Sequence, residues 1–169
     1  MNTDSPAGER LPDVAALESF LTEHQYSGCR RRPAAELDDV RALRPRLRAV
    51  WQTSNVDDAV AVVNRLLWDA DARPRLARHD AWDWHLHVTE DGAPSAQRLA
   101  AEAAMAFADL IRAGEFDRLR SCAADDCAAV LVDLSRNRSR RYCDTGNCGN
   151  RLHVATYRAR RAAASALHR

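Results

Sequence analysis

The residues best equipped for chemistry are four of the chain's five cysteines. Cys122 and Cys127 enclose four residues, Cys143 and Cys148 enclose four more, and fifteen separate the pairs. Two short loops joined by a longer excursion can bring four thiolates onto one tetrahedron, which is what a structural Zn²⁺ ion needs. The contexts "SCAADDCA" and "YCDTGNCGN" are polar and turn-forming, unlike the apolar periodic runs in which cysteine serves as a small buried hydrophobe. One structural zinc ion is therefore expected, held by Cys122, Cys127, Cys143 and Cys148. His153, five residues after Cys148, could replace one thiol, but four cysteines already complete the shell, and a complete shell leaves no open position for a catalytic metal. Cys29 stands alone in a polar link and is expected to be a free thiol without a role.

The same region gathers guanidinium groups. Residues 1–134 carry sixteen Arg against twenty-three Asp and Glu, a charge of −7, whereas residues 135–169 carry nine Arg against Asp144 alone, a charge of +8. The near-neutral total of +1 thus conceals an acidic body and a basic end, a division that bears on partners. All twenty-five basic residues are Arg; with so much Ala, this matches a GC-rich coding sequence and is not itself a functional signal.

The elements that must position these groups follow from periodicity. "LPDVAALESFLTEH" places Val14, Leu17, Phe20 and Leu21 at helical spacing, with Pro12 in the first turn. "AAELDDVRALRPRLRAVW" aligns Leu37, Val40, Leu43, Leu47, Val50 and Trp51 on one side, and Pro45 is expected to bend or split this helix. A third helix opens at Ser54 or Asn55 as N-cap, has Asp57 and Asp58 in its first turn, and is expected to bury Val56, Val60, Val63 and Leu67. In "AWDWHLHVT" the period shifts to two. Trp82, Trp84, Leu86 and Val88 are expected on a buried face and His85 and His87 on a polar one, in a hairpin with "PRLARHD". The two histidines could form a metal pair, although solvated histidines are the commoner outcome. From Pro94 to Ala113 the helical period returns, closed by Gly114. Between the cysteine pairs, "AVLVDLS" reads as a strand, "RNRS" as a turn and "RRYC" as the return strand. "GNRLHVATYRARR" then reads as a helix, with Leu152, Ala155 and Tyr157 as packing residues.

The fold class expected is mainly α: an N-terminal helical domain containing a small β-hairpin, followed by a treble-clef or zinc-ribbon-like finger of hairpin plus helix. Domain boundaries are expected at 1–115, 116–163 and a tail at 164–169. The N-terminus lacks the apolar core of a signal peptide, and no apolar run reaches the roughly 18 residues of a membrane span. A cytoplasmic protein without membrane attachment is expected, and in a reducing compartment paired cysteines favour metal over disulfides.

The run "DLSRNRSRRYC…CGNR…ATYRARR", from Asp133 to Arg161 with Cys122 and Cys127 before it, resembles the CGNR zinc finger, named for the residues here at Cys148-Gly149-Asn150-Arg151. In that family the finger terminates bacterial proteins with a mostly helical N-terminal domain called ABATE, and these proteins are named for a role in stress-induced transcriptional regulation. The resemblance implies that the helical stretch from about Leu11 to Gly114 is such a domain. Family members usually begin with an apolar segment ending near an Asn-Thr pair. This chain starts at Met1-Asn2-Thr3, so the first element is expected to be missing or the start misplaced.

A zinc site can hold together a hairpin and a helix too small to fold by burial alone, and these can then present Arg side chains. Arg136, Arg138, Arg140 and Arg141 lie on or beside the hairpin turn and Arg158, Arg160 and Arg161 on the last helix. With Asn150 and Arg151 they form the expected nucleic-acid surface, since phosphates attract guanidinium groups and Arg can pair with guanine. Some of these arginines could instead neutralise the zinc–thiolate centre, and Asn150 and Arg151 suit structure as well as DNA. The leading expectation is a DNA-binding transcriptional regulator whose helical domain senses a small-molecule effector or forms a homodimer. The alternatives are an RNA-binding finger or a protein-interaction module with a purely structural zinc. Trp51, Trp68, Trp82 and Trp84 could line an effector pocket, though core packing is the commoner use of such residues. No enzymatic activity is expected, because there is no phosphate loop, nucleophile motif or open metal site.

Overall fold

The apolar stripes set the helices. In the computed structural model, which describes residues 1–5, 8–26, 33–78 and 83–166, the two-residue strands β1 (Asp4–Ser5) and β2 (Gly8–Glu9) precede α1 (Val14–Glu23) and α2 (Pro33–Arg48). There follow α3 (Val56–Asp69), the ribbon of β3 (Arg75–Ala77) and β4 (His85–His87), and α4 (Ser95–Arg112). Strands β5 (Leu119–Ser121) and β6 (Val130–Val132) and helix α5 (Cys148–Ala166) complete the chain. The expected mainly helical architecture with small antiparallel ribbons is present. Cys29, Trp82 and the end of the tail lie outside the described residues. The chain packs as two compact units, Met1 with Glu9–Phe116, and Asn2–Gly8 with Asp117–Arg169.

In the first unit Asp13 caps α1 by accepting from the Ala16 N–H, so Pro12 precedes the cap rather than entering the first turn. Leu17 and Leu21 then pack with Leu11, Leu37 and Val40. The entering chain is tied to α2 by Arg41, which donates to the Leu11 and Pro12 carbonyls, and by Arg44, which forks onto Glu9 at 2.7 and 2.6 Å. Pro45 does not split α2. The helix runs one further turn and tightens into a 3-10 turn over Ala49–Gln52, so Leu43, Leu47 and Val50 remain buried in line.

Helix α3 has its N-cap at Asn55, whose side chain accepts from the Asp58 N–H. Its buried stripe is Ala59, Val63 and Leu66, while Val56 is exposed. The expected stripe was rotated because Ala59 carries too little apolar surface to register in a hydrophobic pattern, yet a small residue is what close helix packing favours. It meets α4, whose buried residues are Ala100, Ala101, Ala104 and Phe107. An Ala101→Leu protein is expected to lose about 1–3 kcal/mol by overpacking this seam; chemical denaturation monitored by helical circular dichroism measures the loss. Helix α4 ends in a Schellman closure: Gly114 has φ +69°, its N–H bonds the Ile111 carbonyl, and the Glu115 N–H bonds the Leu110 carbonyl at 2.8 Å.

The β3–β4 ribbon inverts one expectation. Its alternation is as expected, with Leu76 opposite Leu86 and Ala77 opposite His85. However, of the face expected to be buried only Val88 is buried among the described residues; Trp84 and Leu86 are 63% and 51% exposed, while His85 and His87 are half-buried. Period two assigns residues to two faces without saying which one the rest of the fold covers. Trp68, at the end of α3, is also on the surface, 82% exposed. Trp51 is half-buried and meets Phe107 edge-on at 5.1 Å.

Candidate metal centre

The second unit is built around the cysteines. Strand β5 pairs antiparallel with β6, placing Leu119 opposite Val132 and Ser121 opposite Val130. The hairpin therefore encloses the first cysteine pair; it does not lie between the pairs, as expected from "AVLVDLS…RRYC". Strand β6 is correct, but its partner precedes it in the chain. Residues 139–142 form no strand and attach to the first loop through the Ala123 N–H, which donates to the Arg141 carbonyl at 2.8 Å. At the hairpin tip, the Cys122 N–H bonds the Ala129 carbonyl and the Cys127 N–H bonds the Ala124 carbonyl.

Residue 2 supplies a part that periodicity could not reveal. The Asn2 side-chain amide donates to the Val130 carbonyl at 2.6 Å, and its oxygen accepts from the Val130 N–H at 3.0 Å. Alternate residues of a strand turn their backbone groups to opposite edges. Ala129 and Asp133 bond toward β5, so Asn2 takes the groups on the other edge. The Asn-Thr pair noted at the chain start was the available signal.

The second cysteine loop turns through Asn147, whose φ is +46°, and α5 begins at Cys148 itself. Gly146 is required here, because a Cβ would lie 2.9 Å from the Cys148 Sγ. A Cβ at Gly149 would press on the Tyr142 ring at 3.3 Å.

Together these turns bring the four Sγ atoms within 4.8 Å of one another. Cys127 to Cys143 is 3.7 Å and Cys143 to Cys148 is 3.8 Å. Zn–S bonds of about 2.3 Å at tetrahedral angles place sulfurs about 3.8 Å apart, so the donor set fits one zinc ion. Cys122, Cys143 and Cys148 are buried, and none of the four forms a disulfide. His153 is exposed on α5, so the shell is Cys₄. Donors surround the sulfurs: the Cys143 N–H reaches the Cys122 Sγ at 3.4 Å and the Arg151 guanidinium reaches the Cys148 Sγ at 3.3 Å. Burial works to raise the Cys122 thiol, but the Cys143 and Ala124 N–H groups, with the neighbouring Cys127 and Cys143 thiols, bring it down to about 7, whereas burial pushes Cys127 up to about 12.

The arginines divide. Arg151, expected at the nucleic-acid surface, pairs bidentately with Asp126 besides donating to the Cys148 sulfur. Arg138 has φ +52° and pairs with Asp117 at 2.6 Å, and its carbonyl accepts from Arg120. Arg140 pairs with Asp144. Arg136, Arg158 and Arg160 are exposed and make no ion pair among the described residues. Arg141 and Arg161 are also exposed, their guanidinium groups lying over the Tyr142 and Tyr157 rings at 6.0 and 5.9 Å. On α5, Arg158 stands seven residues from Arg151 and three from Arg161, so these share one side, while Arg160 points across the axis. Asn150, third in the helix, is not its cap. It is exposed and lines an open groove with Arg140, Arg141 and Tyr142. Leu152, Ala155 and Tyr157, expected to pack, are all exposed: α5 is surface beyond its first turn.

Asp133, which the sequence reading passed over, organises the Ser-Arg-Asn-Arg-Ser loop. It is 0% exposed. One oxygen accepts from the Ser135 N–H at 3.0 Å and from its hydroxyl at 2.5 Å, and the other from the Arg140 N–H at 3.0 Å. Arg120 stands 3.2 Å away. Burial works to raise its carboxyl, but the Ser135 hydroxyl, the two N–H groups and Arg120 hold it below the usual range.

A tetrathiolate centre that closes a hairpin and the start of a helix defines a zinc finger, here following a unit of four packed helices. Residues 118–161 match the CGNR zinc finger. Residues 1–114 match the ABATE family, described as "Putative stress-induced transcription regulator", and the chain belongs to that family. No curated protein is significantly similar to it. Among the described residues no helix is long and apolar enough to cross a membrane.

Proposed function

We propose that the finger binds duplex DNA, with Arg136 and Arg141 beside the loop and Arg158 and Arg161 on α5 contacting phosphates and base edges. The helical unit is left for effector sensing or dimerisation, in a cytoplasmic, non-enzymatic regulator. The observation that carries this reading is α5 itself. From Arg151 onward its described side chains are exposed, it contains no Asp or Glu, and its first turn is fixed by the metal centre. A rigid cationic helix of this diameter suits the major groove. A second reading, docking to a protein, draws support from the exposed Leu152, Val154 and Tyr157 on the same helix.

The two readings separate by salt. Four phosphate contacts give a log–log slope of affinity against salt of about −4, each contact contributing about −0.9. Arg158→Ala is expected to lower duplex affinity and reduce the slope by about 1, with zinc content and melting temperature unchanged. Arg138→Ala, which loses the Asp117 pair, is expected to lower stability first. Fluorescence anisotropy with a random duplex at low salt measures both, and a matched RNA tests the other polymer. Absence of duplex affinity at low salt overturns the DNA reading.

A further inference from the structure

We propose that His85 and His87 form a second metal site, taking one divalent transition-metal ion of the zinc, nickel or copper kind through their two Nε2 atoms. Residues two apart on a strand share a face, and on β4 the two Nε2 atoms converge to 3.1 Å. The opposite nitrogens are both oriented by acceptors: the His85 Nδ1 lies 2.8 Å from the Asp83 carbonyl oxygen, and the His87 Nδ1 lies 3.2 Å from the Asp91 carboxylate. A carbonyl and a carboxylate only accept, so in the neutral rings each Nδ1 carries the proton and each Nε2 presents a lone pair. Two lone pairs facing each other at that distance repel unless a cation lies between them. With metal–nitrogen bonds of about 2.0–2.1 Å, the separation corresponds to a nitrogen–metal–nitrogen angle of about 98°, suited to adjacent positions of a tetrahedral, square or octahedral ion.

The surroundings agree. A ligating histidine commonly donates its other N–H to a carboxylate or a backbone carbonyl, and His87 and His85 show one of each. The cross-strand neighbour of His85 is Ala77, which adds little bulk. The neighbour of His87 is Arg75. Its guanidinium is turned onto Asp91 at 2.5 Å and the Thr89 carbonyl at 2.7 Å, so its charge is offset by the same carboxylate that orients His87.

The test uses the full chain without a polyhistidine tag, its finger already loaded with zinc. Nickel chloride is titrated by calorimetry, and bound metals are counted after dialysis. Wild type is expected to take up one nickel while keeping its zinc. His85→Ala and His87→Ala are expected to lose the nickel but keep the zinc, and Asp91→Asn, which removes a positioning carboxylate, to bind about 10- to 100-fold more weakly. A measurement on wild type alone guards against misfolded variants: paramagnetic nickel should selectively broaden the His85 and His87 imidazole ¹⁵N resonances. No uptake beyond zinc, uptake unchanged in both His85→Ala and His87→Ala, or imidazole resonances that respond to pH and not to nickel would each overturn the site in favour of a shared proton or none.

Discussion

A Cys143→Ser protein is expected to retain almost no zinc and to lose the fold of the finger while α1–α4 stay folded. The reason lies in what the finger has for a core: Cys122, Ala124, Ala129, Leu131, Cys143 and Cys148, with Cys127 and Tyr142 at its margin. Half of the buried members are zinc ligands, and two of the others are alanines. Without the metal, Leu131 and a few methyl groups cannot offset the cost of ordering the hairpin and loops. Structural zinc contributes about 10–16 kcal/mol in small fingers, as much as the entire stability of an ordinary domain, about 5–15 kcal/mol. Serine restores the shape but supplies no thiolate. Metal analysis should give one zinc per wild-type chain and nearly none for the variant, and chelation of wild type should reproduce the change. Most helical circular dichroism should survive, because the first unit has its own core around Leu17, Leu21, Leu37 and Val40. A variant with full zinc content would remove Cys143 from the shell, and loss of all helical signal on chelation would show one cooperative unit.

Asp133→Ala is expected to be the most damaging substitution outside the ligands. Removing this carboxylate leaves the Ser135 and Arg140 N–H groups and the Ser135 hydroxyl without their acceptor, and Arg120 without its carboxylate. Truncating one side of a buried charged network costs about 3–5 kcal/mol, a large fraction of what holds so small a unit. Asp133→Asn keeps one accepting oxygen but turns an amide toward a donor, so it should fall between wild type and alanine. The denaturant concentration at which zinc is released measures the order. Release at the wild-type concentration in Asp133→Ala would show that the loop forms without its central acceptor.

Ligand spacing and polar loop context were enough to identify the zinc centre, because four cysteines in two pairs have few other uses in turn-forming sequence. Helical periodicity found α1 to α5, including the Asn55 cap and the Gly114 closure, because these are local: a cap or a left-handed turn is decided by residues within one helical turn. What the sequence left open concerns contacts between distant segments. Which face of β4 is covered, that β6 pairs backward with β5, and that Asn2 reaches Val130 all depend on pairings whose strength is spread over the fold. Charge behaves the same way. The nine C-terminal arginines were countable from the sequence, but only the tertiary structure could separate Arg138, Arg140 and Arg151, each held by a carboxylate, from Arg136, Arg141, Arg158 and Arg161, since a guanidinium group is committed by whatever carboxylate the folded chain brings within reach. Asp133 went unnoticed for the same reason. Its role comes from burial among donors that converge only once the loop has closed around it.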